Sequence, residues 1–425
     1  MHSVSTVPDA SDASDATARP RVVLGVSGGI AAYKACEVLR RLTESGHDVT
    51  VVPTASALEF VGEPTWAALS GKPVSTVVWD DVHLVPHVRI GQEADLVVVA
   101  PATADLLARA AHGNADDLLT STLLTARCPV LMVPAMHTEM WEHPATRDNI
   151  ALLRSRGVTV AEPASGLLTG ADTGRGRLPD PVEIADLARL LLAAPAALPR
   201  DLEGQRVVVS AGGTREPLDP VRYLGNRSSG RQGYALARVA AQRGAEVVLV
   251  AAHTADLVEP AGVRMVHVGT AEEMRAAMLA EADGADAVVM AAAVADFRPV
   301  DLAGYKIKKS DADPGPLALT RNPDILAELI EARAAERIKA RLLVGFAAET
   351  GDRDTTVLEH GRRKLARKGC DLLVVNAVGD GRAFEREENA GWLLAADGTE
   401  RAIPFAAKSL LSATVWDAVT EQLGG

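Results

Sequence analysis

Aromatic residues make up only 3% of this 425-residue chain, and cysteine occurs three times, as Cys36, Cys128 and Cys370. Cysteines so far apart form neither a disulfide framework nor a metal-ligand cluster, which points to a reducing compartment and a cytoplasmic location. No long uninterrupted apolar span occurs, and no basic start followed by an apolar core, so neither membrane insertion nor export is expected. Basic stripes with interleaved aromatics are also missing. The chain carries 44 Lys and Arg against 56 Asp and Glu, a formal net charge of −12. Both features argue against a nucleic-acid partner. What is abundant is apolar: 48% hydrophobic content, mostly Ala, Val and Leu. That composition suits an α/β protein with close helix–sheet packing. The length exceeds one ordinary core, so two domains are expected.

The pattern divides accordingly. Residues 1–19 hold Ser, Asp, Ala, Thr and Pro with little to bury, and read as a disordered leader. From Arg21 the pattern becomes strand, glycine turn, helix: Val22–Val26, Ser27-Gly28-Gly29, then a helix over 30–45. Val49–Pro53, Leu96–Pro101 and Val130–Pro134 are further continuous apolar runs. Strands apolar on both faces belong to a parallel sheet covered by helices. This domain is placed at 20–190, followed by an Ala/Leu/Pro-rich linker at 191–205. The pattern then restarts over 206–425, with strands at 206–210, 246–251, 287–293, 342–346 and 372–376 and a helix over 230–243. The expected fold is therefore α/β, two doubly wound Rossmann-like domains in series. Each should place its ligand at the carboxyl ends of its strands.

The residues offer several candidate sites. Gly28 and Gly29 let backbone N–H groups approach a phosphate at a helix N-terminus, and Ser27 can add a hydroxyl; a plain tight turn has the same look. The full G-x-G-x-x-G spacing is absent. Pro53-Thr54-Ala55-Ser56 stands where a ribose-binding acid would follow the second strand, which counts against NAD and leaves room for FMN. His83 and His87 flank Pro86, and such a histidine serves either as a general base or as a surface group. In the second half, Tyr305-Lys306-Ile307-Lys308-Lys309-Ser310 packs three lysines behind an apolar run and Asp296. It reads as a locally built anion site or as a solvated basic loop. Lys364 and Lys368 lie four apart on one helix face, beside Arg362, Arg363 and Arg367.

Three longer stretches of the first half carry a resemblance: Ser27-Gly28-Gly29-Ile30-Ala31-Ala32-Tyr33-Lys34, Ala100-Pro101-Ala102-Thr103-Ala104-Asp105 and Pro134-Ala135-Met136-His137-Thr138-Glu139-Met140-Trp141. They resemble the flavin-dependent cysteine decarboxylases. The second half adds Asn226-Arg227-Ser228-Ser229-Gly230, Ala292-Ala293-Val294-Ala295-Asp296-Phe297, Lys306-Ile307-Lys308-Lys309 and Gly345-Phe346-Ala347-Ala348-Glu349-Thr350. In this order, from Arg21 to about Thr414, they resemble a family that fuses phosphopantothenoylcysteine decarboxylase to phosphopantothenate–cysteine ligase.

The resemblance implies roles. FMN would sit against Ser27, Gly28, Gly29, Thr54, Ser56, Pro101, Ala102 and Thr103, with His87 as base and Asn114, Met136 and His137 near the substrate. Hydride removal by the flavin would turn the cysteinyl thiol carbon into a thioaldehyde, the electron sink that decarboxylation otherwise lacks. In the ligase half, the phosphopantothenate carboxylate would attack CTP to give an acyl-cytidylate, which the cysteine amine then opens. Asn226, Ser228, Ser229 and Gly230 would hold phosphopantothenate. The nucleotide would meet Met290, Ala291, Ala292, Asp296, Pro323, Asp324, Ile325, Leu326 and Phe346. Lys306, Lys364 and Lys368 would neutralise its phosphates, with Mg2+ carried mainly by CTP and its protein ligands unknown. A large homo-oligomer is implied: trimeric or dodecameric flavin domains and dimeric ligase domains.

Two positions depart from the family pattern. His137 stands where the family has a carboxylate-binding Asn, and its imidazole can still donate a hydrogen bond. Gly170 stands where many members carry a flap cysteine that returns a proton. Thr169, Asp172 or water then remains as donor, or decarboxylation is slow or halts at the ene-thiol. The alternative is a ligase whose flavin domain is an oligomeric scaffold. A nicotinamide dehydrogenase is a third reading, weakened by the missing ribose acid and the lysine cluster.

Overall fold

A computed structural model describes residues 19–76, 86–168, 172–307, 316–349, 355–377 and 388–424. The described residues up to Leu198, with Pro260–Gly262, form one compact unit; Pro199–Glu259 and Val263–Gly425 form the other. No helix among the described residues is long and apolar enough to cross a membrane.

In the first unit, five strands pair in parallel in the order Asp48–Pro53, Arg21–Val26, Leu96–Ala102, Val130–Pro134, Thr159–Val160. Every residue of Leu96–Ala102 is buried, as a strand covered on both faces must be. Helix Ala32–Glu44 buries Ala32, Ala35, Val38, Leu39 and Leu42, one face at helical spacing, and keeps Arg40 and Glu44 outward. Each leucine so buried contributes about 1.5–3 kcal/mol. Helix Pro181–Ala193 continues into the stretch read as linker, where Leu191 is buried.

The second unit holds eight strands in the order Val263–His267, Glu246–Ala251, Arg206–Ala211, Ala287–Met290, Leu342–Glu349, Leu372–Ala377, Glu388–Ala395, Glu400–Ala407. The first six pair in parallel, and the last two are joined on by antiparallel pairings. Strand Ala287–Met290 stops before the expected end at 293. Beyond it the Ala292 N–H donates to Ser210 Oγ (3.1 Å) and the Ala293 N–H to Gly212 O (2.8 Å), so the chain leaves the ladder to tie two loops together. The C-terminal helix Lys408–Leu423 closes one face: Trp416 Nε1 donates to Leu236 O at 2.9 Å. Arg243, with its side chain 1% exposed, donates to Asp201 (2.8 Å) and Asp417 (2.7 Å).

Strand order reverses once in each unit. The reversal lies between Arg21–Val26 and Leu96–Ala102 in the first, and between Arg206–Ala211 and Ala287–Met290 in the second. Ligand crevices of open α/β sheets form outside the carboxyl ends of the strands at such points.

Candidate active sites at the two strand-order reversals

At the first reversal, three loops are bonded into one rim. Ser27 is buried; its Oγ donates to Pro101 O (2.8 Å) and accepts from the Thr103 N–H (3.0 Å). The donor that sequence reading offered to a phosphate is thus spent on a neighbouring loop, and Ser27 staples the rim. Thr54 caps helix Ala55–Leu58 by accepting from the Ala57 N–H (3.2 Å) and contacts Ser56 Oγ at 3.1 Å. Gly28 lies against Ser56 so closely that an added Cβ would fall on Ser56 Oγ and 2.8 Å from the Ser56 carbonyl carbon. Thr103 caps the helix Ala104–His112. Helix Ala32–Glu44, which opens at the Ser27-Gly28-Gly29 turn, has neither a side-chain cap nor an acid in its first turn. Its Ala32 and Lys34 N–H groups bond to Gly29 O (2.9 Å) and Ala31 O (3.0 Å), and its positive dipole end, with no acid beside it, suits an anion.

The fourth strand brings Pro101, Ala102, Met136 and His137 to the same edge. The Ala135 N–H donates to Ala102 O (3.2 Å), and the Met136 N–H donates to Gly176 O (2.9 Å) in the hairpin formed by Ala164–Leu167 and Thr173–Arg177. Gly176, at φ +138°, packs on Met136 O, so the hairpin lies directly over the His137 segment. Arg175 stands 5.8 Å from the Trp141 ring centre and pairs with the buried Glu162 at 2.5 Å. Burial first, then the Arg177 charge, lowers the pKa of Lys34 near the base of this hairpin, with Asp180 opposing. Thr169 and Gly170 lie outside the described residues, as does His83.

His87 opens helix Pro86–Glu93; its backbone carbonyl accepts from Thr125 Oγ1 at 2.8 Å. Its Nδ1 is buried and has no hydrogen-bond partner among the described residues. A buried imidazole nitrogen without a partner is costly for folding alone and fits a group reserved for a ligand. Asn114 is placed differently. It is exposed beyond the C-terminal end of helix Ala104–His112, bonded through its N–H to Arg109 O (3.0 Å), whereas Thr103 begins that helix. At ~1.5 Å of rise per residue the helix holds the two well apart, so one chain does not bring Asn114 to the rim.

The second reversal gathers the C-terminal candidates. Asn226 Nδ2 donates to Val294 O (2.9 Å), joining its loop to the segment after strand Ala287–Met290. Ser228 Oγ accepts from the Gly230 N–H (3.3 Å). Gly230, at φ +76°, caps helix Arg231–Gln242 with no side-chain hydrogen bond and no acid in the first turn. Helices Ala271–Ala282 and Val357–Lys368, by contrast, carry full capping boxes. The uncapped end beside Ser228 and Ser229, unlike these two, is open to phosphate. Met290 pairs in register with Gly345, which puts Ala291, Ala292 and Phe346 at the same strand edge. Asp296 is exposed and its backbone carbonyl accepts from the Asn322 N–H (2.9 Å), just ahead of Pro323.

The lysines are held unequally. Lys364 donates to Glu349 Oε1 at 2.8 Å, and Lys368 is paired with Asp324, the cap of helix Ile325–Ala334 in front of Leu326. Burial raises the Asp324 carboxyl, but the Lys368 pairing and the Ala327 N–H outweigh it and hold it below its ordinary range. Lys306 is exposed and makes no ion pair among the described residues; Lys308 and Lys309 fall outside them. Sequence reading missed Thr214, Glu349 and Asp219. Buried Thr214 accepts from the Ala295 N–H at 2.9 Å, steadying the loop ahead of Asp296. A threonine and two acids within otherwise ordinary runs carry no local signal of such long-range bonds. Among the described residues no cluster of acid, histidine and cysteine side chains forms a metal site.

The chain matches two family models: one described as Flavoprotein, over residues 10–192, and one as DNA/pantothenate metabolism flavoprotein C-terminal domain, over residues 202–423. It is 63% identical over 404 residues to the coenzyme A biosynthesis bifunctional protein CoaBC of Mycolicibacterium smegmatis, covering 95% of this chain and 98% of that one. It is 42% identical over 392 residues to the CoaBC of Bacillus subtilis, covering 91% and 93%. A crystal structure of the C-terminal domain of a coenzyme A biosynthesis bifunctional protein superposes with a TM-score of 0.44 at 33% identity, covering 53% of this chain and 98% of that chain.

Proposed function

The chain belongs to the family of bifunctional coenzyme A biosynthesis proteins, and we propose that it joins cysteine to 4′-phosphopantothenate and then decarboxylates the product to 4′-phosphopantetheine. The observation that carries this reading is a pair of uncapped helix N-termini. One opens after the glycine turn at the first strand-order reversal, the other at Gly230, which packs against Gly212 at the second.

In the C-terminal unit the uncapped end at Gly230, with Ser228 and Ser229, takes the phosphate of phosphopantothenate, and Asn226 holds the neighbouring part of the molecule. CTP is the activating nucleotide, lying along the edge from Met290 to Phe346 with Mg2+ on its phosphates. Lys306 offsets the charge that builds as the carboxylate attacks; a cation held in place and aimed at developing charge costs no reorganisation at the moment of reaction. Lys364 and Lys368 exchange Glu349 and Asp324 for the triphosphate.

In the N-terminal unit the rim fits FMN, with an uncapped helix end to meet its phosphate. The buried unpartnered Nδ1 of His87 awaits the substrate. When bound, FMN supplies reversible hydride acceptance from the cysteinyl moiety. His87 moves the thiol proton, His137 donates to the substrate carboxylate from the mouth of helix Thr138–Glu142, and the hairpin over Met136 shields the site from water. The protein acts in the cytoplasm as a homo-oligomer. A second copy is what brings Asn114 to a neighbouring rim, since one chain does not.

Gly28→Ala is expected to cost the protein most of its bound flavin, because the new methyl group displaces Ser56 from the rim. Flavin absorbance per protein after reconstitution measures this, and a normal yellow protein would contradict it. The reading as a whole is tested with purified FMN-loaded protein and phosphopantothenoylcysteine. CO2 release is expected; bound FMN without CO2 release would favour a ligase with a scaffolding flavin domain.

A further inference from the structure

We propose that Asp219 is a positioning residue for the ligase reaction: its buried carboxylate clamps the segment that carries Lys306. The proposal deepens the role given above to Lys306 and rests on it.

Asp219 lies in a turn between strands Arg215–Pro217 and Tyr223–Gly225, and its side chain is 0% exposed. One oxygen, Oδ1, accepts from the Val221 and Arg222 N–H groups, both at 2.8 Å. That pair alone is an ordinary Asx-type turn, which many surface aspartates make without functional consequence. The second oxygen does something a turn does not need. Oδ2 accepts from the Ile307 N–H at 3.2 Å, across 88 positions of sequence.

Two further bonds fix the same segment. An Arg222 guanidinium N–H donates to Ile307 O at 2.9 Å, and the Ala303 N–H donates to Leu218 O at 3.2 Å. The N–H held by Asp219 belongs to the peptide that joins Lys306 to Ile307, so the lysine backbone is pinned directly beside its own Cα. The turn then runs through strand Tyr223–Gly225 into Asn226. One short stretch of chain therefore holds both the substrate-binding asparagine and the anchor of the lysine.

Burial by itself pushes the Asp219 carboxyl upward. The three N–H donors and the Arg222 charge overcome that and bring it below the usual carboxylate range. The clamp is thus in its charged, fully accepting form at neutral pH. Lys306 itself is exposed and unpaired among the described residues, with a long flexible side chain. Without a pinned backbone its ammonium would sample positions far from the reacting phosphate, and misplacement by about 1 Å can cost on the order of 10²-fold in rate.

The test uses the full-length FMN-loaded protein with the variants Asp219→Ala and Asp219→Asn. Asp219→Ala is expected to lower the kcat of CTP-dependent pyrophosphate release about 30-fold or more, on the positional scale just given, while the KM for cysteine moves less than about 3-fold. Limited trypsin digestion well below the melting temperature should cut after Lys306 at least ~10-fold faster, since the N–H that pins that peptide is released. Asp219→Asn keeps shape and one acceptor and is expected to fall between wild type and Asp219→Ala on both readouts. It also serves as the working variant if Asp219→Ala does not fold.

Wild-type kcat in either well-folded variant would overturn the proposal. So would unchanged cleavage after Lys306 with a lowered melting temperature, since that pattern belongs to a merely structural aspartate. Cleavage is read without any substrate. Faster cleavage in Asp219→Ala alongside a fully active Lys306→Gln would therefore sink the role of Lys306, not the clamp.

Discussion

Lys306→Gln is expected to reduce amide formation by about 10²–10³-fold while leaving the melting temperature unchanged. The rate effect follows from charge. Triphosphate and carboxylate are both anionic, and negative charge builds on the oxygens around the attacked phosphorus and on the departing pyrophosphate. Deleting one aimed donor at such a centre costs about 2.7–4 kcal/mol in related oxyanion sites. The absence of a stability effect follows from exposure. Lys306 makes no ion pair among the described residues and stands in solvent, where substitutions fall within about 0.5 kcal/mol. Lys364 and Lys368 differ, because each holds a carboxylate in the ligand-free protein, so their replacement also disturbs Glu349 or Asp324. Pyrophosphate release with CTP and cysteine, beside a thermal melt, checks both halves. Full-speed release would show that the exposed lysine is a solvated surface group.

His87→Gln is expected to slow CO2 release from phosphopantothenoylcysteine by about 10²–10⁴-fold, the usual range for a lost general base. The flavin should stay bound, because the rim that cradles it is made by Ser27, Gly28, Ser56 and Thr103 rather than by the helix that His87 opens. Glutamine preserves size and polarity, and the His87 backbone carbonyl keeps its bond from Thr125. No side-chain hydrogen bond is broken among the described residues, since Nδ1 has no partner there. Folding should therefore be spared and chemistry lost. Single-turnover CO2 release, with flavin absorbance recorded in parallel, measures the two separately. Undiminished release with bound flavin would remove His87 from the chemistry.

What the sequence made legible was the parallel interior of both sheets. Runs such as Leu96–Ala102 and Glu246–Ala251 are apolar on both faces because helices cover both faces, and that condition is written locally. The glycine turn after the first strand was also legible, since a close approach of backbone to loop tolerates no Cβ, as at Gly28. The antiparallel pair Glu388–Ala395 and Glu400–Ala407 was missed, although Asp397-Gly398 between them is a hairpin signal, with Gly398 at φ +91°.

The residues of the candidate sites were nameable, but their partners were not. The hydroxyl of Ser27 turned inward to Pro101, Lys364 and Lys368 met Glu349 and Asp324, and Asp219 reached Ile307. Each of these bonds links positions far apart along the chain or drawn from separate elements, so no periodicity or spacing announces it. Asn114 shows the same limit from the other side: its place beyond the end of a helix is set by the left-handed cap at Gly113, φ +71°.

The central claim is that two nucleotide-shaped sites in one chain act in turn on one phosphorylated substrate. One measurement addresses it directly: FMN-loaded protein incubated with 4′-phosphopantothenate, cysteine, CTP and Mg2+, with all products followed by mass spectrometry over time. The account predicts transient phosphopantothenoylcysteine, then 4′-phosphopantetheine, with CMP and pyrophosphate formed in equal amounts. Accumulation of the amide with no decarboxylated product, or no CMP at all, would contradict it.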